Sequence, residues 1–272
     1  MSGNSGHIVT KEMVRANATL GVRSIVEILV LTVVLAGMLK LCVLDAIHIP
    51  SPSMESALLP GDYVLVNKLV YGARISGIPF LRGQEAGIHL PGFRSIERGD
   101  VIVFRLPAFA ANDPAFESSL YIKRCVGIGG DEVELRNGEV YVNGLRAQVP
   151  DVSEGSHPEG ENVAAVRVPL AGDKIALTPA NLSFWSNLIS SEGHAVACTE
   201  SGRILIDGSP EQSYTIARNY LFVLGDNRDH SYDSRSWGFL PERNVVGEAM
   251  LVYLSIAPTG GIRWNRIGEL VR

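Results

Sequence analysis

Residues 132–142 read EVELRNGEVYV, two short runs of alternating apolar and polar residues on either side of an Asn-Gly pair. Alternation with a period of two is typical of a β-strand that is buried on one face only. Asn137 and Gly138 are residues that tolerate the positive φ angles of a tight two-residue turn. The segment therefore predicts a β-hairpin, and we expect a β-rich fold around it.

Similar short runs, broken by Gly, Pro and Asp, occur on both sides of this hairpin. They read GDYVLVNKLVYG, RGDVIVFRLP, YIKRCVGIGGD, YLFVLGD and VVGEAMLVYLSI. Such regular alternation of short strands and turns predicts an all-β domain. Between residues 146 and 218 the pattern weakens into a mixture rich in Pro, Gly, Ser and Glu. We interpret 146–218 as an inserted second subdomain, which divides the β-domain into residues 45–145 and 219–272.

One apolar stretch inside this insertion, NLSFWSNLIS, has two interpretations. Phe184, Trp185, Leu188 and Ile189 could form an exposed apolar patch close to a membrane. The same spacing equally fits a helix that packs into a core.

The overall composition excludes two classes of protein. The chain has 272 residues, of which 46% are hydrophobic and 19% charged, and its net charge is −5. It is therefore too apolar for a disordered protein and not basic enough for a protein that coats nucleic acid. The low charged fraction also indicates that apolar residues are concentrated in one segment.

That segment is IVEILVLTVVLAGMLKLCVLDAIHI at residues 25–49. About 20 apolar residues suffice to cross a bilayer, and charges near the ends can reach the headgroups. We expect residues 24–44 to form one transmembrane anchor, with a buried core helix as the alternative. No small-residue cleavage pattern follows the segment, so the anchor should be retained.

The charges around this segment predict its orientation. Lys11, Arg15 and Arg23 precede it, whereas acidic residues follow it closely. The excess of positive charge on the cytoplasmic side of membrane spans places residues 1–23 in the cytoplasm and the β-domain outside it. The lipid bilayer is therefore one expected partner.

The three cysteines, Cys42, Cys125 and Cys198, have no C-x-x-C spacing. Neither a zinc site nor a disulfide framework is indicated. The sequence does not decide whether Cys125 and Cys198 form a disulfide bond. The polar loop at 225–238 does not fit a calcium loop, because Arg228 and His230 would fall at ligand positions. No metal and no cofactor is expected.

A serine and a lysine are the candidates for catalysis. The extended stretch Ile49-Pro50-Ser51-Pro52-Ser53-Met54 displays two serines directly after the apolar segment. No histidine has an evident serine partner, and no G-x-S-x-G elbow occurs. A lysine can act as the base if burial keeps its amine neutral. Lys123 lies in an apolar strand, although it could also be an ordinary, partly exposed cation.

Taken together, IPSPSM after a membrane span, GDYVLVNK, GDVIVF, YIKRCVGIGGD and LGDNRDHSYDSRSWGFLP resemble type I signal peptidases, the bacterial leader peptidases. The resemblance covers most of the chain outside the insertion. It implies an all-β, membrane-bound serine endopeptidase with a Ser/Lys dyad at the outer surface of the cytoplasmic membrane. It also implies secretory preproteins as partners, cut after small-x-small sequences, and no nucleic acid; the oligomeric state is left open.

The family's functional residues can be carried over position by position. The nucleophile falls on Ser53 and the general base on Lys123. Ser51, with the Ser53 N–H, matches the oxyanion hole, and Ser231 matches the residue that hydrogen-bonds and orients the lysine.

Two further sets of residues match supporting positions. Asp233 and Arg235 correspond to an ion pair that holds the loop in place. The positions that line the small-residue pockets fall on Ile49, Met54, Tyr121 and Ile122.

The sequence also departs from the family pattern. Glu55-Ser56-Ala57 replaces x-Pro-Thr after the nucleophile, and Pro52 and Cys125 replace residues that are usually small. These changes leave three alternatives open beside a general signal peptidase. One is a specialised relative with a single pilin or conjugation substrate, and another is a self-cleaving repressor, which the anchor disfavours. The third is a membrane-tethered domain that binds signal peptides without cutting them.

Overall fold

The computed structural model describes residues 24–37, 43–72, 74–75, 88–89, 91–110, 119–149 and 162–272. The strands are β1 (Leu44–His48), β2 (Asp62–Asn67), β3 (Arg74–Ile75), β4 (Ile88–His89), β5 (Val101–Arg105), β6 (Leu120–Ile128), β7 (Glu132–Arg136), β8 (Glu139–Val142), β9 (Leu145–Arg146), β10 (Val163–Arg167), β11 (Lys174–Ala176), β12 (Val196–Cys198), β13 (Ile204–Ile206), β14 (Ser209–Pro210), β15 (Ser213–Thr215), β16 (Tyr220–Leu224), β17 (Leu240–Pro241) and β18 (Val245–Ser255). The α-helices are α1 (residues 24–37), α2 (Leu182–Ser191) and α3 (Ser234–Trp237). Short 3-10 turns cover Pro52–Met54, Ala108–Ala110, Arg228–His230, Glu242–Asn244 and Trp264–Arg266.

The largest element is a seven-stranded antiparallel sheet in the order β1-β2-β18-β5-β6-β16-β17. All five runs predicted around the hairpin contribute strands to it, so the all-β prediction is confirmed. Its two faces carry separate apolar clusters. Val101 and Val103 pack with Ile49, while Ile102 and Phe104 pack on the opposite side. The first four residues of β5 are therefore all apolar, because both faces of the strand are buried there.

The predicted hairpin forms but belongs to a different sheet from the one expected. β7 pairs with β8, and Asn137 and Gly138 turn the chain with φ angles of 51° and 81°. The hairpin lies in a four-stranded sheet of order β10-β7-β8-β9, which includes the first strand of the predicted insertion. The hairpin, which the sequence interpretation assigned to the β-domain, thus pairs with a strand of the predicted insertion. Local sequence does not encode this pairing between β7 and β10.

The insertion packs onto the end of the main sheet. Leu188 and Ile189 of α2 are buried in a cluster that includes Val126 and Phe222 from the large sheet. Trp185 packs against this cluster, whereas Phe184 remains 50% exposed. Core packing therefore explains most of the apolar face of α2.

Helix α1 precedes the sheet in the chain. Its large apolar side chains are exposed, with Leu31 67% and Val33 70% accessible. Within the described ranges no helix is long and apolar enough to cross a membrane. Residues 38–42 of the expected anchor, and the tail 1–23, lie outside the described residues. Leu44, the last residue assigned to the anchor, instead begins β1 and pairs with Asn67.

Cys125 and Cys198 are both free thiols, so the bridge left open by the sequence is not formed. Cys125 is buried in the core beside β16, whereas Cys198 is exposed at the end of β12. Cys42 lies outside the described residues.

Candidate active site

The predicted nucleophile lies in a short turn that is anchored at both ends. After β1 the chain stays extended, and Ile49 exchanges backbone hydrogen bonds with Gly61 and Asp62. Pro52 then opens a 3-10 turn, which suits a residue whose φ is fixed and whose nitrogen cannot donate. Met54, directly after Ser53, is fully buried in the apolar cluster. The turn therefore holds Ser53 at the edge of the core.

The predicted base lies across from this turn on β6, an interior strand of the large sheet. Lys123 pairs with Ile102 of β5, and only 3% of its surface is accessible. Its Nζ donates hydrogen bonds to Ser53 Oγ at 2.7 Å and to the Ile122 carbonyl at 2.9 Å. The structure thus brings together the two residues that the sequence analysis assigned to the dyad.

Burial changes the acidity of this lysine. The loss of solvent lowers the pKa of Lys123 from its ordinary 10.5 to about 8. Asp233 and Asp226 act in the opposite direction and raise this pKa, while Arg235 lowers it further. Because desolvation dominates, a useful fraction of the amine is neutral near neutral pH and can accept a proton from the serine.

Ser51 is the second hydroxyl at the site. Its Oγ lies 3.3 Å from Ser53 Oγ, and the residue is exposed to solvent. The Ser53 N–H lies in the first turn of the 3-10 segment, where amides have no partner within the turn. A hydroxyl and an amide donor are therefore available beside the nucleophile, as an oxyanion hole requires.

The predicted ion pair between Asp233 and Arg235 is present. Arg235 Nε lies 2.8 Å from Asp233 Oδ1, and the carboxylate is fully buried. Asp233 also accepts hydrogen bonds from the N–H groups of Gly225 and Arg235, and so caps α3. These contacts fix the loop that follows β16.

Among the described residues, no three His, Cys, Asp or Glu side chains come close enough to hold a metal ion.

Ser231 does not form the hydrogen bond expected from the sequence. Its Oγ is buried and has no hydrogen-bond partner in the described structure. It lies beside Gly225, where an added Cβ would come within 2.2 Å of Ser231 Oγ and 2.6 Å of the Ser53 carbonyl oxygen. The Ile122 carbonyl, rather than Ser231, accepts the second hydrogen bond from Lys123. The packing of the loop against Gly225 sets the position of the Ser231 hydroxyl. The spacing of residues in the sequence does not reveal this packing.

Three of the four predicted pocket residues share one apolar cluster. Ile49, Met54 and Ile122 pack together next to Ser53. Tyr121 packs against the cluster on the other side of the sheet, where its ring stacks on Phe104 with centroids 6.1 Å apart. Adjacent residues of a strand point to opposite faces, so Tyr121 and Ile122 cannot line the same buried cluster.

A buried ion pair beside the dyad was not predicted. Arg124, the residue after the base, makes a bidentate contact with Asp226 at 2.8 and 2.7 Å. Both side chains are almost inaccessible, at 3% and 0%. An arginine inside an apolar strand does indicate a buried acidic partner. The sequence alone does not identify an aspartate 102 positions away.

Comparison with known proteins identifies relatives of the chain. Residues 22–254 match the family described as signal peptidase, peptidase S26. Signal peptidase I of Pseudomonas aeruginosa is 33% identical over 228 residues, which cover 80% of this chain and 67% of that protein. Signal peptidase I of Haemophilus influenzae is 31% identical over 84% of this chain and 70% of its own length. The enzyme of the same name from Aquifex aeolicus is 31% identical over 78% of this chain and 76% of its own length.

Proposed function

The chain belongs to the signal peptidase family, peptidase S26, and we propose that it removes signal peptides from exported preproteins with Ser53 as nucleophile and Lys123 as general base. The observation that carries this proposal is the 2.7 Å contact between Ser53 Oγ and the buried amine of Lys123. A serine next to an amine of lowered pKa is the arrangement that activates a hydroxyl for attack on a peptide carbonyl.

The first half of the reaction transfers the acyl group to the enzyme. The neutral Lys123 amine takes the proton of Ser53, and Oγ attacks the carbonyl carbon of the scissile bond. The new oxyanion accepts hydrogen bonds from the Ser51 hydroxyl and the Ser53 N–H, each worth about 3 to 4 kcal/mol in comparable sites. Collapse of the intermediate breaks the C–N bond, and the Lys123 ammonium returns its proton to the leaving amine.

The second half releases the signal peptide. The neutral Lys123 amine removes a proton from water, and the resulting hydroxide attacks the Ser53 ester. The ammonium then protonates Ser53 Oγ as the ester bond breaks. One amine therefore acts twice as a base and twice as an acid, and the hydrogen bond to the Ile122 carbonyl keeps it in place throughout.

We propose that Ser231 takes part in orienting the lysine during this cycle. An ammonium has three N–H donors, and Ser53 and Ile122 accept two of them. Ser231 Oγ is buried beside Gly225, near the Ser53 carbonyl, and has no hydrogen-bond partner in the described structure, so we assign it the third. The Asp233–Arg235 pair holds the loop that carries it.

The apolar cluster beside the nucleophile supports a preference for small side chains. Ile49, Met54 and Ile122 are nearly inaccessible, at 2%, 0% and 8%, and pack together in one cluster that includes the residue after Ser53. We propose that they limit the substrate positions just before the cut to small residues. Tyr121 packs on the other side of the sheet and lies outside this cluster.

We also propose that the enzyme is anchored in the cytoplasmic membrane by the apolar segment that precedes β1, with the β-domain on the extracytoplasmic side. The exposed apolar side chains of α1 support this, because burial in lipid would remove them from water. Protease treatment of spheroplasts tests the orientation. A protected N-terminal fragment and a digested β-domain are expected, whereas protection of the β-domain would contradict the proposal.

Cleavage of several purified preproteins in detergent, with the cut sites mapped by mass, tests the function itself. We expect cuts after small-x-small sequences in all of them. Replacing the small residue before the cut with a bulky one should abolish cleavage. Cleavage of one pilin-like substrate only would favour a specialised enzyme, and binding without any cleavage would contradict the proposal.

A further inference from the structure

Ser56, three residues after the nucleophile, has a backbone conformation that residues with a side chain rarely adopt. Its φ is +148°. The other non-glycine residues with positive φ in the described part of the chain are Asn137, Asn143 and Asp207, all near +50°, where short polar side chains are tolerated. A strained residue of this kind persists only where its surroundings hold it in place.

The surroundings of Ser56 connect it to the loop after β16. Its Oγ donates a hydrogen bond to Asp226 Oδ2 at 3.2 Å. Next to it, Asn227 Nδ2 donates to Glu55 Oε2 at 3.4 Å, and the Asn227 N–H donates to the Ser53 carbonyl at 3.1 Å. The turn that carries the nucleophile is therefore fastened to Asp226 and Asn227 at several points.

Asp226 also fixes the strand that carries the base. Its two carboxylate oxygens bind Arg124, which follows Lys123 in β6. The same carboxylate therefore contacts Ser56 on the nucleophile turn and Arg124 on the lysine strand. Both contacts run through one fully buried side chain, which leaves little freedom for the two elements to move apart.

We infer that Ser56 is a positioning residue, whose hydroxyl ties the nucleophile turn to Asp226 and so holds Ser53 Oγ within reach of Lys123 Nζ. The inference rests on the proposed function, because it assigns a role within the Ser53–Lys123 dyad. Small displacements of reacting groups reduce rates strongly. Removal of the hydroxyl should therefore slow the reaction although Ser56 touches neither Lys123 nor the scissile bond.

Two substitutions distinguish the effect of losing the Ser56 hydroxyl from the effect of relieving the backbone strain. Ser56→Ala removes the hydroxyl and keeps the Cβ at the strained φ, whereas Ser56→Gly removes the hydroxyl and the strain together. Ser186→Ala serves as the control, because Ser186 is a half-buried serine of α2 whose hydroxyl donates to the Ser183 carbonyl of the same helix. The readouts are kcat, KM, the melting temperature and the pH dependence of kcat/KM for preprotein cleavage.

The pH dependence distinguishes positioning from general destabilisation. A loosened turn admits water to Lys123, which faces Asp233, Asp226 and Arg235 and whose pKa is lowered mainly by burial. The acid limb of kcat/KM should then move to higher pH. A purely structural role would leave this limb unchanged in the folded enzyme.

We expect both Ser56 variants to lower kcat about tenfold with KM unchanged and the acid limb displaced, while Ser186→Ala matches the wild type. Ser56→Gly should show this loss without a lower melting temperature. A kcat within about twofold of the wild type, or a lower kcat with an unmoved acid limb, would overturn the inference. Absence of cleavage by the wild type would instead refute the proposed function and the inference with it.

Discussion

The amine of Lys123 and the hydroxyl of Ser53 lie 2.7 Å apart although 70 positions separate them in the sequence. Two different structures bring them together. Ser53 lies in a 3-10 turn that is fastened to the apolar core by Met54, and Lys123 lies in the middle of the seven-stranded sheet. The lysine is consequently buried, and its burial supplies the chemistry that the serine needs.

The activity should depend on pH through the lysine. Because the pKa of Lys123 is lowered to about 8 and the neutral amine is the base, kcat/KM should rise as the pH increases through about 8. Cleavage rates of one preprotein between about pH 6 and 10 measure this limb. A limb near the ordinary lysine pKa of 10.5 would show that the amine is not desolvated in the working enzyme.

The same lysine should lower the stability of the folded protein at neutral pH, whereas a charged residue in an ion pair usually raises it. Its pKa of about 8 in the folded state is below the ordinary 10.5, so folding is penalised while the amine is charged. This penalty, on the order of 3 kcal/mol, is fully present below about pH 8 and disappears as the pH rises towards 10.5.

Lys123→Met removes that penalty, because it places an apolar side chain of similar length in the core. Urea unfolding should show the variant to be more stable than the wild type at pH 7, with the difference shrinking towards pH 10. The buried tyrosines titrate in both proteins, so their contribution cancels in the difference between the two free energies of unfolding. A variant less stable than the wild type at pH 7 would contradict this account.

The buried pair of Arg124 and Asp226 should be costly to break. Arg124→Met leaves a buried carboxylate without its charged partner, which typically costs about 3 to 5 kcal/mol. Arg136→Ala is the matched control, because Arg136 pairs with Glu134 at a surface where 53% of the arginine side chain is exposed. That loss should be much smaller, because solvent screens the exposed pair. Equal costs in urea unfolding would argue against the importance of the buried pair.

Replacement of Ser231 should separate catalysis from stability. Its hydroxyl has no hydrogen-bond partner in the described structure, so Ser231→Ala should change the free energy of unfolding by less than about 0.5 kcal/mol. If the hydroxyl orients Lys123 during the reaction, kcat should nevertheless fall by about tenfold or more. An unchanged kcat in the alanine variant would show that the Ile122 carbonyl orients the Lys123 amine without Ser231.

The sequence predicts the parts of this structure that depend on local pattern. The alternation in β5 and β6 and the Asn137-Gly138 turn each predict the strand or hairpin that is observed. The assignment of Lys123 to an apolar strand correctly anticipated its burial.

Contacts between distant segments could not be predicted in the same way. The pairing of β7 with β10, the Arg124–Asp226 pair and the unpartnered Ser231 all depend on how separate segments pack. Ser56 illustrates the limit most clearly. Its φ of +148° is closed to proline, whose ring fixes φ near −65°, so the proline expected from the family pattern could not adopt this turn.

Cleavage by the wild type, Ser53→Ala and Lys123→Met, measured side by side on one preprotein, tests the dyad most directly. Circular dichroism and thermal unfolding of the three proteins would establish that the variants are folded. The account predicts cleavage at a single site by the wild type and no detectable product from either variant. Retained cleavage by folded Lys123→Met would show that another group activates Ser53, and retained cleavage by Ser53→Ala would remove Ser53 from the mechanism.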